Sequence, residues 1–291
     1  MNRRLSGPPA MLLAMLLFST MGACVKLASA WYSAGEIVFY RSIIASLVVV
    51  VVMRRRGTAV GTQVPGLHFT RSGAGAVALG LFFYGITGLP LATAITLNYT
   101  SSVWMAFFLV AMALASRSAR PDVRLVAAVL LGFVGAALVL QPSLGPAQWR
   151  HGLAGLLSGV VAAVSYLQVA RLSRLGEPDE RIVFYFSLSG IVVGAAMAFG
   201  SGWHGHTLPG VALLLAVGVL AAFAQTLLTR AYASGNPLVS GSLQYTGIVF
   251  SSLYGLLLFH DSPSWPWALG VVLIVVSGCG ATWLRSRPAA A

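Results

Sequence analysis

Acidic side chains are scarce in this chain: 291 residues hold six Asp and Glu against 18 Lys and Arg. Charged residues of both signs make up only 8%, where a soluble domain carries about 25%. So few charges cannot build a water-facing surface, and no long polar stretch offers a separate soluble domain. Cysteine is equally rare: Cys24 and Cys279 both sit within apolar runs, too isolated for a disulfide framework or a zinc site. No Asp or Glu lies deep in an apolar run, which argues against the buried acid of a proton-driven cation pump. The five histidines, His68, His151, His204, His206 and His260, fall between those runs, and His204-Gly205-His206 alone is a weak metal signal. Without an embedded base or metal site, an intramembrane enzyme has little to work with. No catalytic residue, cofactor, metal or nucleic-acid partner is expected.

What is present is apolar. Hydrophobic residues form 58% of the chain and mean hydropathy is +0.86, so the solvent is lipid. A bilayer core takes about 20 apolar residues per helix. Ten segments qualify, at about 10–30, 35–53, 73–89, 92–115, 123–141, 152–171, 182–200, 209–229, 236–259 and 265–284. Turn-forming clusters such as Gly88-Leu89-Pro90 and Gly235-Asn236-Pro237 separate them. With the N-terminus inside, every Lys and Arg except Lys26, Arg41 and Arg150 falls in an inner segment. That is the positive-inside pattern, and it places Arg71 in an inner loop and both termini in the cytoplasm. The net charge of +12 then serves orientation and contact with anionic lipid.

The chain also repeats itself. Ile37-Val38-Phe39-Tyr40-Arg41-Ser42 recurs as Ile182-Val183-Phe184-Tyr185-Phe186-Ser187, and Leu97-Asn98-Tyr99-Thr100 recurs as Leu243-Gln244-Tyr245-Thr246. The offsets of 145 and 146 residues are half of the length. Two units are expected, 1–145 and 146–291. Five helices each is an odd number, so the copies run oppositely through the membrane, with a substrate site near the midplane. Arg3-Arg4 and the apolar run after them also resemble a secretory signal. The match of Lys26-Leu27-Ala28-Ser29 to Arg171-Leu172-Ser173-Arg174 favours a retained first helix. The fold class expected is an all-α integral membrane protein, ten transmembrane helices in two inverted five-helix repeats.

These residues resemble the EamA-type exporters of the drug/metabolite transporter superfamily over nearly the whole chain. Lys26 near the outer end of the first helix, Arg41 early in the second, and the glycine-rich closing segments around Gly132, Gly135, Gly270 and Gly278 carry that resemblance. Leu17-Phe18-Ser19-Thr20-Met21 and Asn98-Tyr99 look most like the YddG-type exporters of aromatic amino acids. The family's Glu before its fifth and tenth helices is replaced here by Ser116-Arg117 and His260-Asp261. The resemblance implies a multi-pass inner-membrane exporter of bacteria, working by alternating access on small amphipathic metabolites such as aromatic or neutral amino acids; the alternative is an antiporter of other metabolites or drugs of the same superfamily.

Polar side chains inside lipid are costly unless they face a cavity or a partner helix. Asn98 and Gln244, each followed by Tyr and Thr, lie on either side of the midplane and are the first candidates for holding substrate. Tyr99, Tyr245, Tyr84, Tyr166, Trp104 and Gln225 are further candidates, as rings or amides within spans. Each has a bland alternative, amides as interhelical glue and aromatics as fillers or interface belts. Lys26 and Arg41 are expected to gate the outer end, with Glu36 neutralising Arg41, or alternatively to attract a substrate carboxylate. The central cavity is otherwise expected to be uncharged and transport facilitated rather than strongly proton-coupled. Partners are a small-molecule substrate and lipid; a monomer is expected, with a dimer as the alternative.

Overall fold

The computed structural model describes residues 5–89, 91–116, 122–141, 146–234, 236–258 and 264–286. Expectations placed on Arg3, Arg4, Arg117, Arg120, His260, Asp261 and Arg287 lie outside them. Among the described residues every regular element is a helix. In the first half these are α1 (Gly7–Ala28), α2 (Ala34–Arg56), α3 (Pro65–Gly88), α4 (Leu91–Tyr99), α5 (Ser101–Ala115) and α6 (Val123–Leu140). A short turn of 3₁₀ helix, Pro146–Gln148, leads into the second half. There follow α7 (Trp149–Arg174), α8 (Asp179–Ser201), α9 (Leu208–Ser234), α10 (Pro237–Gln244), α11 (Thr246–Leu258) and α12 (Trp265–Ser286).

Eight stretches are long and apolar enough to cross a membrane: Gly7–Ala28, Ala34–Arg56, Thr93–Ala115, Val123–Leu140, Trp149–Arg174, Asp179–Gly200, Leu208–Ala233 and Trp265–Leu284. The other two expected spans are α3 and the α10–α11 pair. Both carry polar side chains turned into the protein: His68, Arg71 and Ser72 on α3, and Ser240, Ser242 and Gln244 on α10, all buried. Such residues lower hydropathy without meeting lipid.

The two halves run in opposite directions. An added Cβ at Gly35 would touch Ala198, one at Gly194 would touch Phe39, and one at Gly190 would touch Ser42. As α2 advances, its partner on α8 recedes, so the equivalent helices are antiparallel. The same holds for α6 and α12, where Gly135 faces Gly270 while the Ala128 carbonyl accepts from Ser277 Oγ at 2.6 Å. These two seams pack each helix against its own repeat equivalent and therefore lie on the pseudo-twofold axis. The most extensive of the remaining contacts, α1 on α9 and α7 on α3, come as an exchanged pair, and so do α1 on α11 and α7 on α5.

The fourth span of each half is broken at one place. Thr100 Oγ1 donates to the Leu97 carbonyl, and its equivalent Thr246 Oγ1 donates to Leu243. Such bonds from Thr to the preceding turn bend helices. The breaks fall at Thr100, directly after Asn98-Tyr99, and at Tyr245, directly after Gln244, so the repeat preserves the position to within one residue.

Loop anchors follow the same symmetry at the two faces. Gly57 after α2 and Gly202 after α8 both take positive φ, +66° and +80°, a conformation that favours glycine. The loop after Gly202 is held by Glu36, and the loop after Gly57 by residues at and just before the start of α8. Glu180 bonds Thr58 and Arg56, Arg181 bonds the Ala59 carbonyl, and Glu177 bonds Thr62.

Candidate substrate cavity

A cavity of about 710 Å³ lies between the halves. It begins among Leu140, Ser264 and Trp267, at the ends of helices remote from the chain termini. It descends past Phe18, Phe82 and Ile95 to Asn98 and Tyr99, and ends at Arg71, Tyr166, Leu228 and Gln244. Beyond that floor lie the packed side chains of Met11, Ala231, Tyr232 and Leu238. The cavity thus opens on one face and is sealed toward the face that carries the termini.

The repeat-related amides both reach this cavity. Asn98 Nδ2 donates to Ser158 Oγ at 3.0 Å, which ties α4 to α7. Gln244 is buried, and its Oε1 accepts from the Tyr232 hydroxyl at 2.9 Å. The Tyr232 ring stacks on Tyr166 with centroids 5.0 Å apart and planes 10° from parallel. Tyr166, Tyr232 and Gln244 therefore form one clamp from α7, α9 and α10. Gln225 on α9 lines the cavity from the side, next to Arg41 and Phe186.

Other expected site residues are placed elsewhere. Tyr245 is fully buried and is not among the residues lining this cavity; it fills the space opposite Gly132 and meets Tyr99. Trp104 packs with Phe107 and Phe108 beside the core around Met105. Tyr84 is 49% exposed on α3 and stacks on His151 of α7 at 4.8 Å. Lys26 is an exposed residue in the last turn of α1.

Three expectations need correction. Glu36 does not neutralise Arg41. Its carboxylate is completely buried, accepts from the Ser33 and His204 backbone N–H groups at 2.8 and 2.7 Å, and meets His204 Nδ1 at 2.7 Å. Together with the Ser33 hydroxyl bonded to the Glu36 N–H, this is a capping box that also holds a loop. Next, Arg71 is no loop residue and the cavity is not uncharged. Pro65 starts α3 eight residues before the expected boundary of 73, which carries Arg71 into the interior at 1% exposure. Arg41 lines the cavity as well. Finally, His68 and His151 are helical rather than in loops. His68 is buried on α3, with Nε2 3.0 Å from Glu177 Oε2.

Glu177 lies between α7 and α8, where burial tends to raise its carboxyl pKa. Bonds from Thr62, His68 and Arg181 outweigh that and hold it below the ordinary carboxylate value. The cluster locks the loop after α2 onto the start of α8 at the sealed face. Among the described residues no group of His, Cys, Asp and Glu has the arrangement of a metal site.

Sequence reasoning missed Arg71, Phe186 and Tyr232. One signal was available for Arg71: Pro65-Gly66 at the start of α3 matches Pro209-Gly210 at the start of α9. Proline suits the first turn of a helix, so the second half marked the boundary that charge obscured in the first.

The EamA-like transporter family model matches residues 5–141 and again 150–282. The chain is 34% identical over 276 residues to the pseudopaline exporter CntI of Pseudomonas aeruginosa, spanning 94% of each protein. It is 28% identical over 280 residues to a riboflavin transporter of Rhizobium johnstonii, covering 94% of this chain and 90% of that one. An uncharacterized transporter of Helicobacter pylori is 28% identical over 292 residues. A solved crystal structure superposes with a TM-score of 0.82 at 21% identity, covering 96% of this chain and 99% of the other, a likeness of fold. Two copies of the family unit, in antiparallel halves around a shared cavity, make this chain a multi-pass membrane transporter of the EamA-like family.

Proposed function

We propose that this protein exports a small amphipathic metabolite across a bacterial inner membrane by alternating access between its inverted halves. The single observation that carries this is a cavity on the repeat axis that both halves line, through Asn98 and Gln244, and that opens on one face only. Its opening lies away from Arg54, Arg55, Arg56, Arg171, Arg174 and Arg230, which end their helices at the opposite face. By the positive-inside rule that arginine-rich face is cytoplasmic. The arrangement is then outward-open, with both termini inside and ten spans once α4–α5 and α10–α11 are each counted as one.

The volume falls in the range of about 300–1,000 Å³ typical of sites for drug-sized ligands. Aromatic and neutral amino acids belong to the class that would fit. So do pseudopaline and riboflavin, named for two relatives. Among the described residues no carboxylate lines the cavity, so no lining acid is at hand to carry a proton, which supports facilitated passage.

The test is flux from liposomes loaded with labelled L-tryptophan, L-phenylalanine or riboflavin. Saturable efflux of at least one is expected. Gln244→Leu should lower it roughly tenfold, the worth of one hydrogen bond, while the protein elutes as a folded monomer or dimer. Flux of none, or flux that never saturates, would overturn the carrier reading.

A further inference from the structure

The interior holds two guanidinium groups and, among the described residues that line the cavity, no carboxylate. Arg71 reaches in from α3 and meets Phe186 of α8, and Arg41 reaches in from α2. The Arg71 guanidinium carbon lies 4.1 Å from the centre of the Phe186 ring. Arg41, Phe186 and Gln225 line one recess of the cavity wall. Gly75 leaves the room for this, since a Cβ there would strike the Phe186 ring at 2.7 Å.

The donors of this pair are not spent. Arg41 Nε, Arg71 Nε and Arg71 Nη1 are buried without a hydrogen-bond partner. A guanidinium stays charged in proteins and offers five donors in a planar fork that matches a carboxylate. Burying such a charge unpaired is strongly unfavourable, and in membrane interiors such groups find anions, carbonyls or water-filled cavities. The Phe186 face supplies a cation–π contact, but this leaves the in-plane N–H groups free. The acids of the described residues are engaged elsewhere: Glu36 with His204, Glu177 with His68 and Arg181, Glu180 with Arg56, Asp179 with Arg230, and Asp122 as the cap of α6. Tyr166, which also lines the cavity floor, brings no negative charge at neutral pH.

We propose that Arg71, against the Phe186 ring, and Arg41, in the recess that Phe186 also lines, form a carboxylate subsite in the cavity. The anionic group of the substrate binds there and its apolar body extends toward Phe18, Phe82 and Trp267. This rests on the carrier reading and narrows it to metabolites with at least one carboxylate. The charge has no counterpart in the other half of the repeat: Arg41 corresponds to Phe186, so the subsite is built once, on one side of the axis. An acid would then enter in a single orientation.

Calorimetric titration of the purified full chain with 3-phenylpropionate and with its neutral amide, 3-phenylpropionamide, tests this. The acid should bind at least about tenfold more tightly than the amide, as charge-assisted hydrogen bonds require. Arg71→Gln should abolish that preference, and Arg71→Lys should keep part of it. Because Arg71→Gln removes an unpaired buried charge, its ligand-free melting temperature should match or exceed that of the parent. Arg41→Gln gives an independent readout should the Arg71 variant fail to fold. Equal affinity for acid and amide, no saturable binding of the acid, or a preference that survives both Gln variants would overturn the subsite. Acid-selective binding without flux would sink the carrier and leave the subsite standing, whereas saturable flux without acid selectivity would do the reverse.

Discussion

The Tyr245 ring meets the ring of Tyr99 edge to face, with centroids 6.2 Å apart, and its hydroxyl points at the Tyr99 carbonyl from 3.5 Å. These residues are repeat equivalents that touch across the axis, each next to a helix break. Tyr245 fills the space beside Gly132, where an added Cβ would lie 2.6 Å from its ring. Removing that ring empties a fully buried site. Tyr245→Ala should cost about 3–5 kcal/mol, whereas Tyr245→Phe, which keeps the ring and gives up the hydroxyl's bonds to the Tyr99 carbonyl and Ser102, should cost only about 1–2 kcal/mol. Thermal unfolding in detergent separates the two.

Gly135 and Gly270 bring the closing helices of the two halves together. A Cβ on Gly135 would sit 2.8 Å from the Gly270 carbonyl oxygen, and neither backbone can turn aside as a side chain would. Gly135→Ala should therefore destabilise by about 1–3 kcal/mol, as overpacking does. Gly73 has nothing within 4 Å of its would-be Cβ, and Gly73→Ala should instead gain up to about 1 kcal/mol of helix stability. Melting temperatures that move the same way for both would contradict the close approach of α6 and α12.

Glu36 belongs to His204 and not to Arg41. A double-mutant cycle between Glu36→Gln and His204→Ala should show coupling of about 0.5–3 kcal/mol, and the cycle between Glu36→Gln and Arg41→Gln nearly none. A larger coupling to Arg41 would restore the pairing that the sequence suggests.

The Glu177 cluster makes stability depend on acidity. Its folded carboxyl is held below the ordinary value of 4.5, so the unfolded chain takes up the proton first. The stabilising contribution is therefore complete above pH 4.5 and is lost as the pH falls through the lower folded value. Melting temperature should drop over that acid range. Glu177→Gln should lower it at neutral pH and flatten the acid limb. An unchanged acid limb in the variant would place the sensitivity elsewhere.

The antiparallel duplication was legible because Ile37–Ser42 and Ile182–Ser187 still match after half the chain, and an odd number of spans forces inversion. The amide pair was legible for the same reason. Arg71 was not. A positive charge near a predicted span end reads as cytoplasmic by count, and the count cannot tell a residue just outside a helix from one a turn and a half inside it. Glu36 failed differently: in sequence its nearest opposite charge is Arg41, while its partner His204 comes from a loop 168 residues away. Tyr245 shared its motif with Gln244, but the helix break turns the amide to the cavity and the ring to the axis.

Composition, the repeat offset and the spacing of apolar runs determined by themselves that this is a duplicated, inverted bundle in lipid, because those are properties of burial and periodicity summed over many residues. Which charges meet which partners, and that two guanidiniums come to one cavity with donors to spare, only the tertiary structure decided. Such pairings depend on contacts between helices far apart in the chain, and the register of those contacts is set by packing at single glycines.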